Sequence, residues 1–235
     1  MLLNPTRGHI TTSDHHHPYG PHRPVSFSPD GSIFAVSCND NTIQLLNGGT
    51  GSHITTLTSS PVVGVESCLA FSTDSSRLAS GSDTGSIQLW DVRSGRCTAV
   101  LVGHSRSIHS VAFYANGSRL ASASVDLVAW VWHRRSGKCI FQRGAISVKF
   151  SPDGSMLAST SYDKTVRLWI SRTARTRDRF ATLFGHSEVV TSVNFSADNS
   201  TLASASCDNT VRLWNGRTSR HIATPDGHSG TVTSR

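Results

Sequence analysis

The sequence predicts an all-β fold built from one repeated four-strand unit, and three observations carry that prediction. Nearly the same phrase is written five times: VSFSPDGSIFAVSCNDNTIQLLN at 25–47, LAFSTDSSRLASGSDTGSIQLWD at 69–91, VAFYANGSRLASASVDLVAWVWH at 111–133, VKFSPDGSMLASTSYDKTVRLWI at 148–170 and VNFSADNSTLASASCDNTVRLWN at 193–215. A terminal aromatic keeps the period: Trp90, Trp132, Trp169 and Trp214 follow one another at 42, 37 and 45 residues, and Leu46 holds the place 44 residues before Trp90. Within each unit, short β-rich runs alternate with turn chemistry. A unit of this size cannot bury its apolar faces alone, so the repeats must stack on one another.

The last full unit shows the elements in order. SVNF is a strand, SADNS a turn, TLASAS a strand, CDN a tight turn, TVRLW a strand, NGRTS a turn and RHIAT a strand. Alternation sends Val211 and Leu213 to one face and Arg212 and Trp214 to the other. Both faces carry large apolar groups, so both need covering. Radial stacking around a channel covers them and leaves only short edges. The small residues of LASAS suit a crowded second strand near the axis. The expected units are 25–57, 65–101, 103–142, 145–183 and 185–224, and GHSGTVTSR at 227–235 opens a sixth.

Gly103-His104, Gly185-His186 and Gly227-His228 stand early in their units, and Trp90-Asp91 closes one; the others close Trp132-His133, Trp169-Ile170 and Trp214-Asn215. On these motifs, residues 25–235 closely resemble the WD40 β-propeller family. The resemblance implies five four-stranded blades plus the start of a sixth. Rings of this family usually hold about six to eight blades. The expectation therefore includes an incomplete or open ring, which exposes two apolar blade faces and invites association. The near-identity of the units is also similar to the repeat arrays of fungal NACHT-type incompatibility proteins. No P-loop accompanies it in this chain.

The resemblance further implies a structural hydrogen-bond network in each full unit. One would join His104, Ser122, Asp126 and Trp132, and another His186, Ser204, Asp208 and Trp214. A Ser, a His and an Asp also suggest nucleophilic catalysis, but a triad needs an exposed nucleophile and an oxyanion hole, and no nucleophile elbow such as GxSxG is present. The family's network instead satisfies buried polar groups. Three units depart from it. The first has Leu46 for Trp and no clean Gly-His. The second, which keeps Trp90, has Thr84 where the Asp belongs. In the fourth, Cys139 to Phe150 spans 11 residues against 16 from Cys97 to Phe113, so Asp163 and Trp169 lack their His. This predicts modest stability and a strained junction between units three and four.

Charge and composition bound the function. The chain has 235 residues, enough for a large core, and a formal charge of +7. Basic residues gather in the turns after each third strand, including Arg134, Arg135, Lys138, Arg172, Arg175, Arg177 and Arg179. A basic bottom rim there would attract nucleic acid, acidic protein segments or anionic lipid. No aromatics interleave as stacking platforms, which favours a solvated rim. FQRG at 141–144 is similar to the phosphoinositide-binding FRRG of one propeller subfamily, with one arginine missing.

Cys38, Cys68, Cys97, Cys139 and Cys207 contain no CxxC pair, so reduced, mostly buried thiols in a cytoplasmic or nuclear protein are expected. No apolar run spans a membrane, and the opening MLLNPTRGHITTSD is too short in apolar residues for a signal peptide. Residues 1–24 read as a poorly ordered tail, and consecutive His15, His16 and His17 there do not converge as a metal site needs. No cofactor or metal is expected.

By the resemblance, partners dock on the top face, formed by the Gly-His loops and tight turns. The positions there are Arg106, His109, Val125, Tyr162, Glu188, Thr191 and Cys207, with Tyr162 the foremost because exposed Tyr is a common hot-spot residue. The primary expectation is a non-enzymatic scaffold for protein or peptide partners. A truncated or degenerate fragment of a larger signalling or incompatibility protein, without independent activity, is the alternative; binding of acidic partners or nucleic acid through the rim is weaker. An enzyme would need a cluster of carboxylates or metal ligands in the channel, which the first strands do not offer.

Overall fold

The computed structural model describes residues 24–38, 40–58, 64, 66–133, 137–171, 179–225 and 229–232; of 137–143 and 179 it describes the backbone. The described residues form strands and turns, arranged as five four-stranded antiparallel sheets. Sheet one holds β1 (Val25–Phe27), β2 (Ile33–Ser37), β3 (Thr42–Asn47) and β4 (His53–Thr58). Sheet two holds β5 (Glu66–Phe71), β6 (Arg77–Ser82), β7 (Ser86–Asp91) and β8 (Cys97–Val102). Sheet three holds β9 (Ile108–Phe113), β10 (Arg119–Ser124), β11 (Val128–His133) and β12 (Gly137–Arg143). Sheet four holds β13 (Ala145–Phe150), β14 (Met156–Ser161), β15 (Val166–Ile170) and β16 (Arg179–Leu183). Sheet five holds β17 (Val190–Phe195), β18 (Thr201–Ser206), β19 (Val211–Asn215) and β20 (His221–Ala223). In each sheet the strands pair in chain order.

Turn chemistry sets this meander. Between the first and second strands an aspartate folds the chain onto itself. Ser28 Oγ donates to Asp30 Oδ1 at 2.6 Å, and Ser32 N donates to the same oxygen at 3.0 Å. Asp74, Asp153 and Asp198 repeat the arrangement. The tight turn between the second and third strands places one residue in the left-handed region: Asn41, Gly85, Leu127, Lys164 and Asn209. Asn and Gly adopt that conformation cheaply; Leu127, at φ 64°, does not.

The sheets stack through four apolar seams, because alternation gives the second and third strands large side chains on both faces. Ala35, Ile43 and Leu45 of sheet one meet Phe71, Leu78 and Trp90 of sheet two. Ala79 and Ile87 then meet Val111, Phe113, Leu120 and Trp132. Ala121 and Val131 meet Val148, Leu157 and Trp169, and Ala158, Val166 and Leu168 meet Val193, Leu202 and Trp214. Each sheet thus has a leading face, bearing the Phe and Trp, and a trailing face of smaller aliphatics. The first strands lie side by side at the centre of the array, and the fourth strands at its periphery. The sheets form an open arc: among the described residues no seam joins sheet five back to sheet one.

The cysteines correct one expectation. Among the four described thiols only Cys68 is buried; Cys38 and Cys207 are half-buried, and Cys97 is exposed at the head of β8, a peripheral strand whose outward side chains face solvent. The Cys139 side chain lies outside the described residues. No helix among the described residues is long and apolar enough to cross a membrane.

Candidate functional site

Strand order fixes two ends of the array. The start of each first strand, the tight turn after each second strand and the end of each fourth strand share one end, the top. The aspartate turns and the turns after the third strands share the other.

Beneath the top lie two histidine networks. His104 Nε2 lies 2.8 Å from Ser122 Oγ and its Nδ1 2.9 Å from Asp126 Oδ2, while Trp132 Nε1 donates to Ser122 Oγ at 2.8 Å. In sheet five His186 Nδ1 and Nε2 each lie 2.8 Å from their partners, Asp208 Oδ2 and Ser204 Oγ, and Trp214 Nε1 donates to Ser204 at 2.8 Å. A carboxylate only accepts, so Nδ1 carries the proton; Nε2 then accepts from the serine hydroxyl. Burial holds the His186 pKa below its ordinary value, outweighing the pull of Asp208. Burial alone would raise Asp208, but donors from Thr210, His186 and Ser187 hold its carboxyl far below the usual range.

These groups are not arranged for nucleophilic catalysis. Ser122 and Ser204 are fully buried, and each hydroxyl already accepts from a tryptophan. No reacting carbonyl could reach them.

The incomplete units are repaired in different ways. Trp90 donates to Ser80 and Trp169 to Ser159, both at 2.9 Å, so the Trp–Ser bond survives without a histidine. Thr84, in the aspartate position, joins Ser82 and Ser86 in a hydroxyl cluster. Asp163 takes Arg167 instead of a histidine: Arg167 Nη2 donates to Asp163 Oδ2, and Thr165 donates to Oδ1. In sheet one Val36 and Leu46 replace the Ser and the Trp together, which removes donor and acceptor at once. Sequence reading found the Leu but missed its Val partner and the substitute arginine.

The missing loop of sheet four reshapes the top. Only Gly144 separates β12 from β13. Gly144 N donates to Leu127 O at 2.5 Å, and Tyr162 N donates to Gly144 O at 3.1 Å. This ladder sets Leu127 and Tyr162 on either side of the shortened crossing. Tyr162 is 49% exposed and Leu127 45%, the two large exposed hydrophobics of the tight turns. Leu127 was not among the sequence candidates; a bulky residue after a tight-turn Asp was the available signal.

The other top-face candidates divide. Arg106, His109 and Glu188 are exposed, and Glu188 pairs with Lys164 at 3.3 Å. Val125 and Cys207 are half-buried, their amides bonded to Ser107 O and Val189 O. Thr191 is occupied in the framework, donating to Ala205 O at 3.1 Å and Val232 O at 2.7 Å. Of the basic rim, Arg134, Arg135, Arg172, Arg175 and Arg177 lie outside the described residues, as do the side chains of Lys138 and Arg179 and residues 1–23 with His15, His16 and His17.

The first strands also carry polar groups that sequence reading did not weigh. Glu66 opens β5 and is buried, near Cys68. Burial pushes the Cys68 thiol up to about 12, so it stays protonated and unreactive. Burial pushes the Lys149 amine down. Among the described residues no three His, Cys, Asp or Glu side chains gather as a metal site would require.

Compared with known families, the chain matches the model of the WD domain, G-beta repeat, at residues 25–47, 51–91, 95–133, 137–169 and 177–215. Comparison with curated proteins found no match.

Proposed function

The chain belongs to the WD40-repeat family, whose members typically act as non-enzymatic scaffolds for protein–protein interaction, and from that premise we propose that it docks a peptide or protein partner on its top face at Leu127 and Tyr162. The observation that carries this reading is the exposed pair flanking Gly144. An exposed tyrosine on the same end as an exposed aliphatic suits a hot spot. The pair sits on a rigid frame, since both neighbouring sheets are anchored by buried Trp–Ser bonds. Rigid presentation lowers the entropic cost of association.

A leucine held at positive φ adds weight. That conformation costs about 1–2 kcal/mol for a side chain with a Cβ. Strain of this kind concentrates where a side chain is used. The test is affinity capture by purified wild-type chain beside Tyr162→Ala and Leu127→Asn, quantified by mass spectrometry. The reading expects the same partners to be depleted about tenfold or more by either substitution, as for a hot-spot truncation. Equal recovery from all three proteins would refute it.

A further inference from the structure

Among the described residues the arc leaves two faces uncovered, and they are the two halves of a seam the chain already builds four times. At each internal seam a trailing face of Ala and branched aliphatics receives a leading face bearing Phe and Trp. In sheet four the trailing residues Ala158, Val166 and Leu168 are sealed. Their counterparts in sheet five, Ala203, Val211 and Leu213, are only half-buried. At the other end the leading residue Phe27 is 60% exposed, although Phe71 and Phe113 at the same repeat position are buried.

The open trailing face is already prepared in register for a first strand. In the seam between sheets two and three, Ser67 Oγ bridges Gly81 O at 3.0 Å and Ile108 O at 2.6 Å. Thr191 occupies the same repeat position in sheet five and bridges Ala205 O at 3.1 Å and Val232 O at 2.7 Å. Val232 therefore stands where Ile108 stands, and its amide also donates to Ser206 O.

We infer that two copies of this chain join head to tail, the leading face of sheet one in one copy covering the trailing face of sheet five in the other. The contact continues an interface established four times within the molecule. It pairs unlike faces, so it is heterologous: it closes as a ring of two copies or extends as a chain. It does not involve the top-face pair Leu127 and Tyr162, and it stands or falls apart from the docking proposal.

The experiment is light scattering after size exclusion of the full chain at rising concentration, with Phe27→Glu to disable the leading face and Leu213→Glu to disable the trailing face. Wild type runs at twice the chain mass or above, and each variant alone runs as a monomer. An equimolar mixture of the two variants recovers a dimer, because one intact leading face meets one intact trailing face. Circular dichroism confirms that the variants fold; Ala203→Glu replaces Leu213→Glu if the latter does not. A monomeric wild type, self-association that persists in the single variants, or a mixture that stays monomeric would each overturn the inference.

Discussion

Arg167 donates to Oδ2 of Asp163 in blade four, the same carboxylate oxygen that His104 and His186 contact on Asp126 and Asp208 in blades three and five. The guanidinium satisfies a turn that has lost its histidine. The two solutions differ in burial. Both histidine side chains are essentially sealed, whereas Asp163 remains close to half exposed.

That difference ranks two substitutions. Arg167→Ala lowers stability by about 0.5–1 kcal/mol, the range of a partly exposed ion pair. His186→Ala costs about 2–3 kcal/mol, because Ser204 and Asp208 lose a buried partner. Urea unfolding of the two variants checks the order; an equal loss would place the arginine in the same buried role.

In blade one the Val36 and Leu46 exchange makes a coupled prediction. Val36→Ser alone adds a hydroxyl without its tryptophan, and Leu46→Trp alone adds an indole N–H without its serine. Together they rebuild the bond seen at Trp90 and Ser80. A double-mutant cycle on denaturant midpoints gives a favourable coupling of about 1 kcal/mol; strict additivity would contradict it.

Acid weakens the molecule in two windows. His186 has a folded pKa below the ordinary 6.5, so the folded form resists protonation and stability falls as pH drops below 6.5. Asp74 and Asp198 are held down to about 2 by serine donors, so their contribution is full above the unfolded carboxylate pKa of 3.8 and fades as pH falls from there toward 2. Thermal melts across this range show both declines in wild type, and His186→Gln flattens the upper one. An unchanged upper decline in that variant would assign it elsewhere.

Leu127→Asn relieves a left-handed leucine and raises stability by about 1 kcal/mol, while weakening partner capture. A gain in melting temperature with loss of capture separates use from folding; a fall in melting temperature would show that the leucine packs rather than docks.

Much of the fold was legible because its signals are local. Trp132 and Trp214 mark the third strands, and Ser122 and Ser204 lie ten residues earlier, on the neighbouring strand. The arginine substitution was not legible. TVRLW occurs at both 165–169 and 210–214, yet Arg167 binds its aspartate and Arg212 does not hold Asp208, whose oxygen is taken by His186 from 22 residues away. Identical local sequence reaches different ends because a distant loop is present in one blade and absent in the other. The exposed Leu127 has the same origin: its neighbour Gly144 follows β12 directly, with no loop between them.

The most direct test of the docking account is photo-crosslinking from position 162, with position 93 on the opposite end as the reference. A photoreactive phenylalanine analogue replaces Tyr162 or Arg93 in turn, and adducts are read by mass spectrometry. The account predicts discrete partner adducts from position 162 that position 93 does not give. Equal adducts from both positions, or none from 162, would contradict it.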